Sequence, residues 1–292
     1  MERLLKYLDE KKDAVNQALG EFLPKADLAP STLHEAMRYS ALGSGKRIRP
    51  ILVCMCAELF RPGSDEWLPA ACALEMAHCY SLIHDDLPAM DNDDLRRGRL
   101  TCHKAYNEAT AILAGDALLT LAFETVVRRY APGVAANIIG IMASALGHNG
   151  MIGGQMMDLE GEKKKLDPEA IEDMYARKTG MLVAAACRIG AVIGGGEGAR
   201  LEQASQYGKN LGLLFQITDD ILDCTATSDQ MGKTVGKDSA AGKSTLVAAC
   251  GLEAAQAKAD ELAVLTKSQL KGFDAEALMP RLLVDFILTR KK

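Results

Sequence analysis

The sequence predicts an all-α protein that forms one large helical domain around a central cavity. Aromatic residues make up only 5% of the 292 residues, whereas hydrophobic residues make up 48%. Ala, Leu and Met are abundant, and this composition favours helix over sheet. Ten or more segments carry apolar residues at helical spacing, and none alternates convincingly like a strand. No break resembles a linker between domains, so residues 1–292 are expected to form a single domain.

Charge, cysteine content and hydropathy exclude several classes of protein. A net charge of -5 argues against a partner nucleic acid. The eight cysteines are scattered without a CxxC pair, which favours buried thiols in a reducing compartment. The first residues, MERLLKYLDEKKD, lack the apolar core of a signal peptide. Asp116 and Arg188 interrupt the most apolar runs, so we expect no membrane span. Because Asp116 lies within an apolar run, we expect it to be a buried carboxylate with a partner. These features together predict a cytoplasmic protein.

Helical periodicity places the elements in order along the chain. Pro24 to Pro30 is predicted to be a linker, and Ser31 is a candidate N-cap for the helix that follows it. Pro168 stands where a first helical turn accepts proline. The helices are predicted at 3–19, 51–60, 68–86, 109–130, 132–146, a segment ending near 160, 168–193, 200–223, 243–267 and 275–290.

The densest group of charges runs from His78 to Arg99 and reads HCYSLIHDDLPAMDNDDLRRGR. Its five carboxylates repel one another, so it is either a solvated acidic loop or a site for hard cations such as Mg²⁺ or Ca²⁺. A second acidic group, with Asp219, Asp220 and Asp223, follows the apolar run GLLFQIT. Asp219 and Asp223 share a helix face, whereas Asp220 points about 100° away. The recurrence favours a site in which cations bind a diphosphate.

A calcium loop of the EF-hand type is excluded by the spacing of the first acidic group. If such a loop began at Asp91, Leu95 would occupy its fifth position and Arg96 its sixth, where an oxygen ligand and glycine are required. Asp85 and Asp91 would lie about 240° apart on a continuous helix. Pro88 can end that helix, so that Asp91 returns from a loop toward Asp85.

Two other segments have the composition of anion sites. GSGKRIRP (43–50) concentrates Lys46, Arg47 and Arg49 beside two turn-forming glycines. It is either a helix cap with solvated cations or a turn that binds diphosphate. A Walker A motif is excluded, because Ser40 stands where that motif requires glycine. Lys178-Thr179-Gly180 (178–180) interrupts a helix with glycine, which predicts a kink. Asp158, in the helix that ends near residue 160, is expected to face either the central cavity or solvent.

The sequence resembles the trans-isoprenyl diphosphate synthases. The resemblance rests on the motifs and on their order along the chain: GSGKRIRP, the first acidic group, the paired arginines, the Lys-Thr-Gly segment and FQITDDILD, which contains the second acidic group. Within that family it is most similar to the bacterial farnesyl diphosphate synthases, over essentially the whole chain. The resemblance implies that an allylic diphosphate loses diphosphate and that isopentenyl diphosphate attacks the resulting cation. One departure is Asn92, where an unbroken run of aspartates is frequent.

The resemblance implies a role for each motif residue. Three Mg²⁺ ions would be bound by Asp85, Asp86, Asp91, Asp219 and Asp223. The allylic diphosphate would be bound by Arg96, Lys178 and Lys233; isopentenyl diphosphate by Lys46, Arg49, His78 and Arg97; and the carbocation would face Thr179 and Gln216, with Lys243 a further substrate ligand. His78 taken alone, on an apolar helix, would rather be an ordinary core residue.

Product length is assigned to Tyr80 and Ser81, on the helix before Asp85. A ring at Tyr80 would stop the growing chain at C15, and the small Ser81 would not stop it earlier; otherwise Tyr80 is an ordinary core residue. The family also implies a homodimer. The alternatives are a geranylgeranyl diphosphate synthase, a terpene cyclase or a non-catalytic partner subunit of the same fold.

Overall fold

The structure is a computed structural model that describes residues 1–162, 164, 166–225 and 244–290. Within these ranges nearly all regular structure is helical, so the predicted all-α class is confirmed. The elements are α1 Glu2–Phe22, α2 Ser31–Ala41, α3 Ile48–Glu58, α4 Leu68–Asp85, β1 Leu95–Arg96, β2 Arg99–Leu100, α5 Cys102–Ala105, α6 Glu108–Arg129, α7 Pro132–Leu146, α8 Met151–Gly161, α9 Pro168–Tyr175, a π-helix Ala176–Gly180, α10 Met181–Gly194, α11 Gly198–Thr225, α12 Leu246–Cys250, α13 Leu252–Ser268, a 3₁₀ turn Ala275–Ala277 and α14 Leu278–Thr289.

The chain divides into two compact units, which we describe separately. The N-terminal unit comprises Leu5–Cys54 and Ser64–Ile139. Its central element is α4, in which every residue from Ala70 to Ala77 is buried. Helix α4 packs against α6 and α2, and the alanines of α4 and α6 allow the helices to approach closely. The first acidic group and GSGKRIRP both belong to this unit.

The C-terminal unit comprises Met1–Leu4, Met55–Gly63 and Gly140–Lys292. Its centre is α11, which packs against α10 on one side and α13 on another. Glycines mark the closest approaches: a Cβ on Gly208 would lie 2.8 Å from the Cα of Ala184, and one on Gly212 would lie 2.7 Å from the Cα of Gly180. The Lys-Thr-Gly segment and the second acidic group belong to this unit.

Three predicted elements differ from those observed. A two-stranded ribbon, β1 with β2, stands where no strand was predicted, because two-residue strands carry no detectable periodicity. The predicted helix 243–267 is divided at Gly251, whose φ of 87° ends α12. Ser31 is the first residue of α2, with Pro30 at the N-cap position, so the prediction of a Ser31 cap is wrong.

The prediction of a buried carboxylate at Asp116 is also wrong. Its side chain is 61% exposed and lies 3.9 Å from the Nε2 atom of His84. Helix α6 is the one described helix that is long and apolar enough to cross a membrane, yet only 39% of its most apolar stretch is buried. Asp116 lies on the outer part of that helix, together with Ile112 and Leu113, which are 44% and 58% exposed.

A buried ion pair fixes the turn between α2 and α3. Arg47 is 3% exposed, and its NH1 atom donates to the Oε1 atom of Glu75 at 2.7 Å. Its NH2 atom donates to the carbonyls of Ala41 and Gly43, and its Nε atom donates to the side chain of Asn16. The guanidinium is thus satisfied on every side, as a buried charge must be. The pair attaches the turn of GSGKRIRP to α4.

We predict that Glu75→Gln lowers the free energy of unfolding by about 3–5 kcal/mol, because it leaves the Arg47 charge buried without a counter-ion. Glu124→Gln is the matched control, since the Glu124–Arg128 pair is exposed and worth ~0–1 kcal/mol. Urea unfolding of both variants and the parent measures the difference. Equal losses for the two variants would show that the Arg47 pair is not a constraint on the fold.

Candidate active site

The first acidic group is brought together by the end of α4. The helix stops at Asp85, and Pro88 occupies the turn that follows. The backbone N–H of Asp91 then donates to the carbonyl of Asp85 at 2.8 Å. The return of Asp91 toward Asp85 after Pro88 is therefore confirmed. Asn92, the departure from an aspartate run, has a φ of 50°, a left-handed conformation that Asn adopts more easily than most residues.

Asp86 is the buried member of this group and is held by Arg96. The Nε atom of Arg96 donates to both carboxylate oxygens of Asp86, at 2.7 and 2.9 Å, and NH2 lies 2.5 Å from Oδ1. Burial raises the pKa of Asp86, although hydrogen bonding and the charge of Arg96 oppose that shift. Asp86 and Arg96 thus form a bidentate pair in this structure, and the pair anchors the β1–β2 ribbon to the end of α4.

The ribbon directs Arg97 toward the GSGKRIRP turn. Arg97 and Gly98 connect the strands with φ angles of 54° and 77°, the two positive values of a type I′ hairpin. Such a conformation is unusual for arginine and costs about 1 kcal/mol or more. The NH1 atom of Arg97 donates to the carbonyl of Ser44 at 2.6 Å, and a Cβ on Gly45 would lie 2.3 Å from the same atom. Gly45 therefore leaves the space that Arg97 occupies.

A cavity in the N-terminal unit opens beside this contact, and its lining carries three arginines and one carboxylate. The Arg99 guanidinium lies 4.3 Å from the centre of the Tyr39 ring, a cation–π contact. Tyr39 in turn donates its hydroxyl to the carbonyl of Leu100. The lining includes Ser40, Ser44, Arg96, Arg97 and Arg99, together with Asp86, which pairs with Arg96. Three arginines and two hydroxyls suit the oxygens of a phosphate group.

His78 and Arg49 form a pair near these cations. The NH1 atom of Arg49 lies 3.2 Å from the Nε2 atom of His78. Burial and the nearby arginines, Arg49 first among them, hold the pKa of His78 well below its usual range. The ring is therefore neutral, accepts at Nε2 and carries its proton on Nδ1. The buried Nε atom of Arg49 has no hydrogen-bond partner among the described residues, which suits an anion that would accept from it.

The two predicted chain-length residues occupy different surroundings on α4. Tyr80 is 7% exposed, and burial raises the pKa of its hydroxyl, with the charges of Asp85 and Asp116 adding to the shift. Ser81 is half-buried and donates its hydroxyl back to the carbonyl of His78 at 2.9 Å. The ring of Tyr80 meets that of His84 edge to face, with 5.4 Å between their centres.

In the C-terminal unit, the predicted kink is a π-helix over Ala176–Gly180. A Cβ on Gly154 would lie 2.2 Å from the backbone nitrogen of Lys178, so α8 packs directly on this segment. The ammonium of Lys178 donates to Asp158 at 2.5 Å, and the hydroxyl of Thr179 donates to the side-chain oxygen of Gln216 at 2.7 Å. The π-helix therefore groups Lys178, Thr179 and Gln216, which are three predicted site residues.

The second acidic group divides into one buried and two more exposed carboxylates. Asp220 accepts from the hydroxyl of Tyr175 at 2.8 Å and from the backbone N–H of Leu246 at 2.9 Å. Asp219 accepts from Arg290 at 2.6 Å, and its side chain is 43% exposed. Asp223 is half-buried one turn further along α11. As predicted, Asp220 points away from the face that Asp219 and Asp223 share.

The donor set of both acidic groups fits Mg²⁺, which prefers carboxylate oxygens. In the part of the chain that the structure describes, no three such side chains stand close enough to enclose an ion by themselves. That arrangement is compatible with Mg²⁺, which usually binds one or two carboxylates and keeps positions for water and substrate phosphate. Lys233 and Lys243, both predicted substrate ligands, lie outside the described residues. Lys243 is also the first residue of the predicted helix 243–267.

Sequence reasoning missed four residues that organise the site. Arg47 and Glu75 hold the basic turn, Tyr175 anchors Asp220, and Arg290 binds Asp219 while lying 4.1 Å from the centre of the Phe215 ring. Of the four, only Arg47 could be noticed in the sequence, because it is the middle cation of a basic cluster next to two glycines. The other three could not be found, because their partners are 28, 45 and 71 residues away in the chain.

Comparison with known proteins assigns the chain to a family. The model of the polyprenyl synthetase family matches residues 30–279. The farnesyl diphosphate synthase of Micrococcus luteus is 43% identical, over 99% of this chain and 100% of its own. The geranylgeranyl pyrophosphate synthase 7 of Arabidopsis thaliana, a chloroplastic protein, is also 43% identical, over 98% of this chain and 83% of its own.

A solved structure has the same fold. The apo structure of an FPP/GFPP synthase from Zymomonas mobilis matches with a TM-score of 0.87 and 35% identity, covering 98% of this chain and 99% of its own. These matches span nearly the whole chain, including all the motifs described above. The chain belongs to the polyprenyl synthetase family and is a short-chain trans-prenyltransferase that acts on isoprenoid diphosphates.

Proposed function

We propose that this enzyme is a farnesyl diphosphate synthase. It condenses dimethylallyl diphosphate, and then geranyl diphosphate, with isopentenyl diphosphate to give (2E,6E)-farnesyl diphosphate. The observation that carries the C15 assignment is the buried ring of Tyr80, five residues before Asp85. That spacing corresponds to about 7.5 Å along the helix axis. The growing chain, anchored by its diphosphate near Asp85 and Asp91, would extend along α4 until it meets this ring, and we assign that stop to the C15 product.

In the reaction, the C–O bond of the allylic diphosphate breaks and its electron pair leaves with diphosphate. The double bond of isopentenyl diphosphate then forms a C–C bond to the allylic carbon, and the new cation loses a proton to the released diphosphate. Mg²⁺, when bound, would neutralise the charge on the departing diphosphate. Three Mg²⁺ ions per active site would be bound by the carboxylates of Asp85, Asp86, Asp91, Asp219 and Asp223.

The cationic residues would bind the two diphosphates. Arg96, Lys178 and Lys233 are assigned to the allylic substrate. The contacts of Arg97 with Ser44, and the buried Nε atom of Arg49, support a separate anion site for isopentenyl diphosphate. A neutral His78 adds a donor there without adding charge. The ligands of that site would be Lys46, Arg49, His78 and Arg97, with Lys243 as a further substrate ligand.

Thr179 and Gln216 would stabilise the allylic cation. Thr179 donates its hydroxyl hydrogen to the Gln216 oxygen, so the Thr179 oxygen keeps both of its lone pairs and the Gln216 oxygen keeps one for a developing cation. Neither group is a strong nucleophile, which lets them stabilise a cation without trapping it. Lys178, held by Asp158, would assist from the next position of the π-helix.

We further propose a cytoplasmic homodimer in which residues 1–292 act as one catalytic domain. Helix α6 supports the dimer, because only 39% of the most apolar stretch of this long helix is buried within the chain, so the remainder is available to a partner. Ile112 and Leu113 are the exposed apolar residues at its start. A second copy of the chain presenting the same face would supply an isologous contact.

A geranylgeranyl diphosphate synthase is the second candidate, since one relative of 43% identity carries that name. Incubation with labelled isopentenyl diphosphate and geranyl diphosphate separates the candidates by product length, C15 against C20. The same experiment excludes a terpene cyclase, which would not incorporate isopentenyl diphosphate, and a non-catalytic subunit, which would give no product.

We predict absolute dependence on a divalent cation. Asp85→Ala and Asp219→Ala should each lower kcat by orders of magnitude, because the diphosphate would leave without charge neutralisation. Asp94→Ala is the matched control from the same acidic segment, since Asp94 is exposed and paired with Lys104. Turnover is measured with and without excess chelator. Near-normal turnover in chelator would contradict the metal assignment.

We predict that the two arginines serve different substrates. Arg97→Ala should raise KM mainly for isopentenyl diphosphate, and Arg96→Ala should act mainly on the allylic substrate. A lost charge-assisted hydrogen bond is worth about 1.5–3 kcal/mol, or about 10- to 150-fold. Arg96→Ala also leaves Asp86 unpaired, so its melting temperature is measured alongside the kinetics. Equal effects of both variants on both substrates would refute the division.

We predict that Tyr80→Ala converts the main product from C15 to C20 and longer, because removal of the ring opens space beyond the third isoprene unit. Ser81→Ala is the control on the same helix and should leave the product at C15. Chromatography of dephosphorylated products measures the distribution. An active Tyr80→Ala enzyme that still stops at C15 would place the end of the chain at another residue.

A further inference from the structure

The half-buried ring of His84 lies between Tyr80 and α6. It meets the Tyr80 ring edge to face, with 5.4 Å between centres and 89° between planes. On its other side it lies over Gly115, where a Cβ would be 2.3 Å from the Nε2 atom and 2.6 Å from Cδ2. A residue with any side chain at position 115 would therefore collide with the ring.

Polar contacts fix the orientation of the His84 ring. Its Nε2 atom lies 3.1 Å from the carbonyl oxygen of Ile112 and 3.9 Å from the carboxylate of Asp116. A carbonyl only accepts, so Nε2 carries the proton and donates to it. Ile112, Gly115 and Asp116 lie on one stretch of α6, so the ring is attached to that helix and not only to its own.

Helical geometry explains why this position controls Tyr80. Residues 80 and 84 are one turn apart and share a face of α4, whereas Tyr80 and Asp85 lie about 140° apart. Tyr80 therefore stands on the α6 side of the helix, and the described partner that holds its ring there is His84. If the ring is to stop a prenyl chain, it must keep one position when the chain presses on it.

We propose that His84 is a positioning residue for product length, which wedges against Gly115 and holds the Tyr80 ring in place. This inference rests on the proposed role of Tyr80 in a prenyltransferase. His84 itself need not touch the substrate. It sets specificity through the ring that it fixes, and Gly115 is a specificity residue because only glycine admits the wedge.

Three variants test the proposal by the ratio of C20 to C15 product. His84→Ala should raise that ratio about two- to tenfold, the factor that corresponds to an aromatic edge contact. His84→Phe keeps a ring of similar size and should keep C15. Gly115→Ala should change the ratio in the parent by displacing the ring, but less than about twofold in the His84→Ala background, where no ring remains to be displaced.

Gly140→Ala is the matched control for the glycine substitution, because a Cβ there meets nothing within 4 Å. It should leave the ratio unchanged. Should Gly115→Ala fail to fold, the double variant removes the collision, and its ratio should equal that of His84→Ala. A His84→Ala enzyme with parental C15 product, or additive effects of the two substitutions, would overturn the proposal. Tyr80→Ala is measured beside these variants. If it lengthens the product while His84→Ala does not, the role of His84 is rejected and the role of Tyr80 as the stop is kept. If Tyr80→Ala does not lengthen the product, the role of Tyr80 itself is rejected.

Discussion

The buried pair of Arg47 and Glu75 is the interaction on which the cationic segments of the N-terminal unit depend. Desolvating two charges is costly, and it is tolerated only where each donor and acceptor has a partner. Arg47 meets that condition by bonding to three different segments, at Asn16, at Glu75 and at the carbonyls of Ala41 and Gly43. The turn thus has one permitted geometry relative to α4. That geometry places Arg49 against His78 and the Ser44 carbonyl against Arg97.

Backbone strain is concentrated in the same segments. Among the described non-glycine residues, those with positive φ are Arg47, Asn92 and Arg97, at 51°, 50° and 54°. Each such conformation costs about 1–3 kcal/mol and persists only where the surrounding structure offsets that cost. The positive φ of Arg47 is held by its hydrogen-bond network. The positive φ of Arg97 is held by the hairpin turn and by its hydrogen bond to the Ser44 carbonyl. The stability of the hydrophobic core of α4 therefore supports strained loops that carry the charged groups.

Features that depend on neighbouring residues were predicted from the sequence. Features that depend on residues distant in the chain were not. Pro88 correctly predicted the end of α4 and the return of Asp91, because a proline acts on its own turn. Gly180 predicted a kink but not its form, since the π-helix depends on close packing by Gly154 and Gly212. Asp116 was misjudged because its apolar neighbours, Ile112 and Leu113, are themselves exposed. Periodicity shows that a helix has an apolar face, but not whether this chain covers it.

The paired residues of the motifs illustrate how one sequence pattern yields two functions. Neighbours on a helix point about 100° apart, so a doubled carboxylate at the edge of a core places one group inward and one outward. The inward member must be paired: Asp86 binds Arg96, and Asp220 binds Tyr175 and the Leu246 backbone. The outward member, Asp85 or Asp219, is less enclosed, and both are among the ligands proposed for Mg²⁺. The pairs with Arg96 and Tyr175 also fix the ribbon and the end of α9. A doubled aspartate therefore lets one carboxylate anchor the segment while its neighbour stays accessible, and a single carboxylate at that position could not do both.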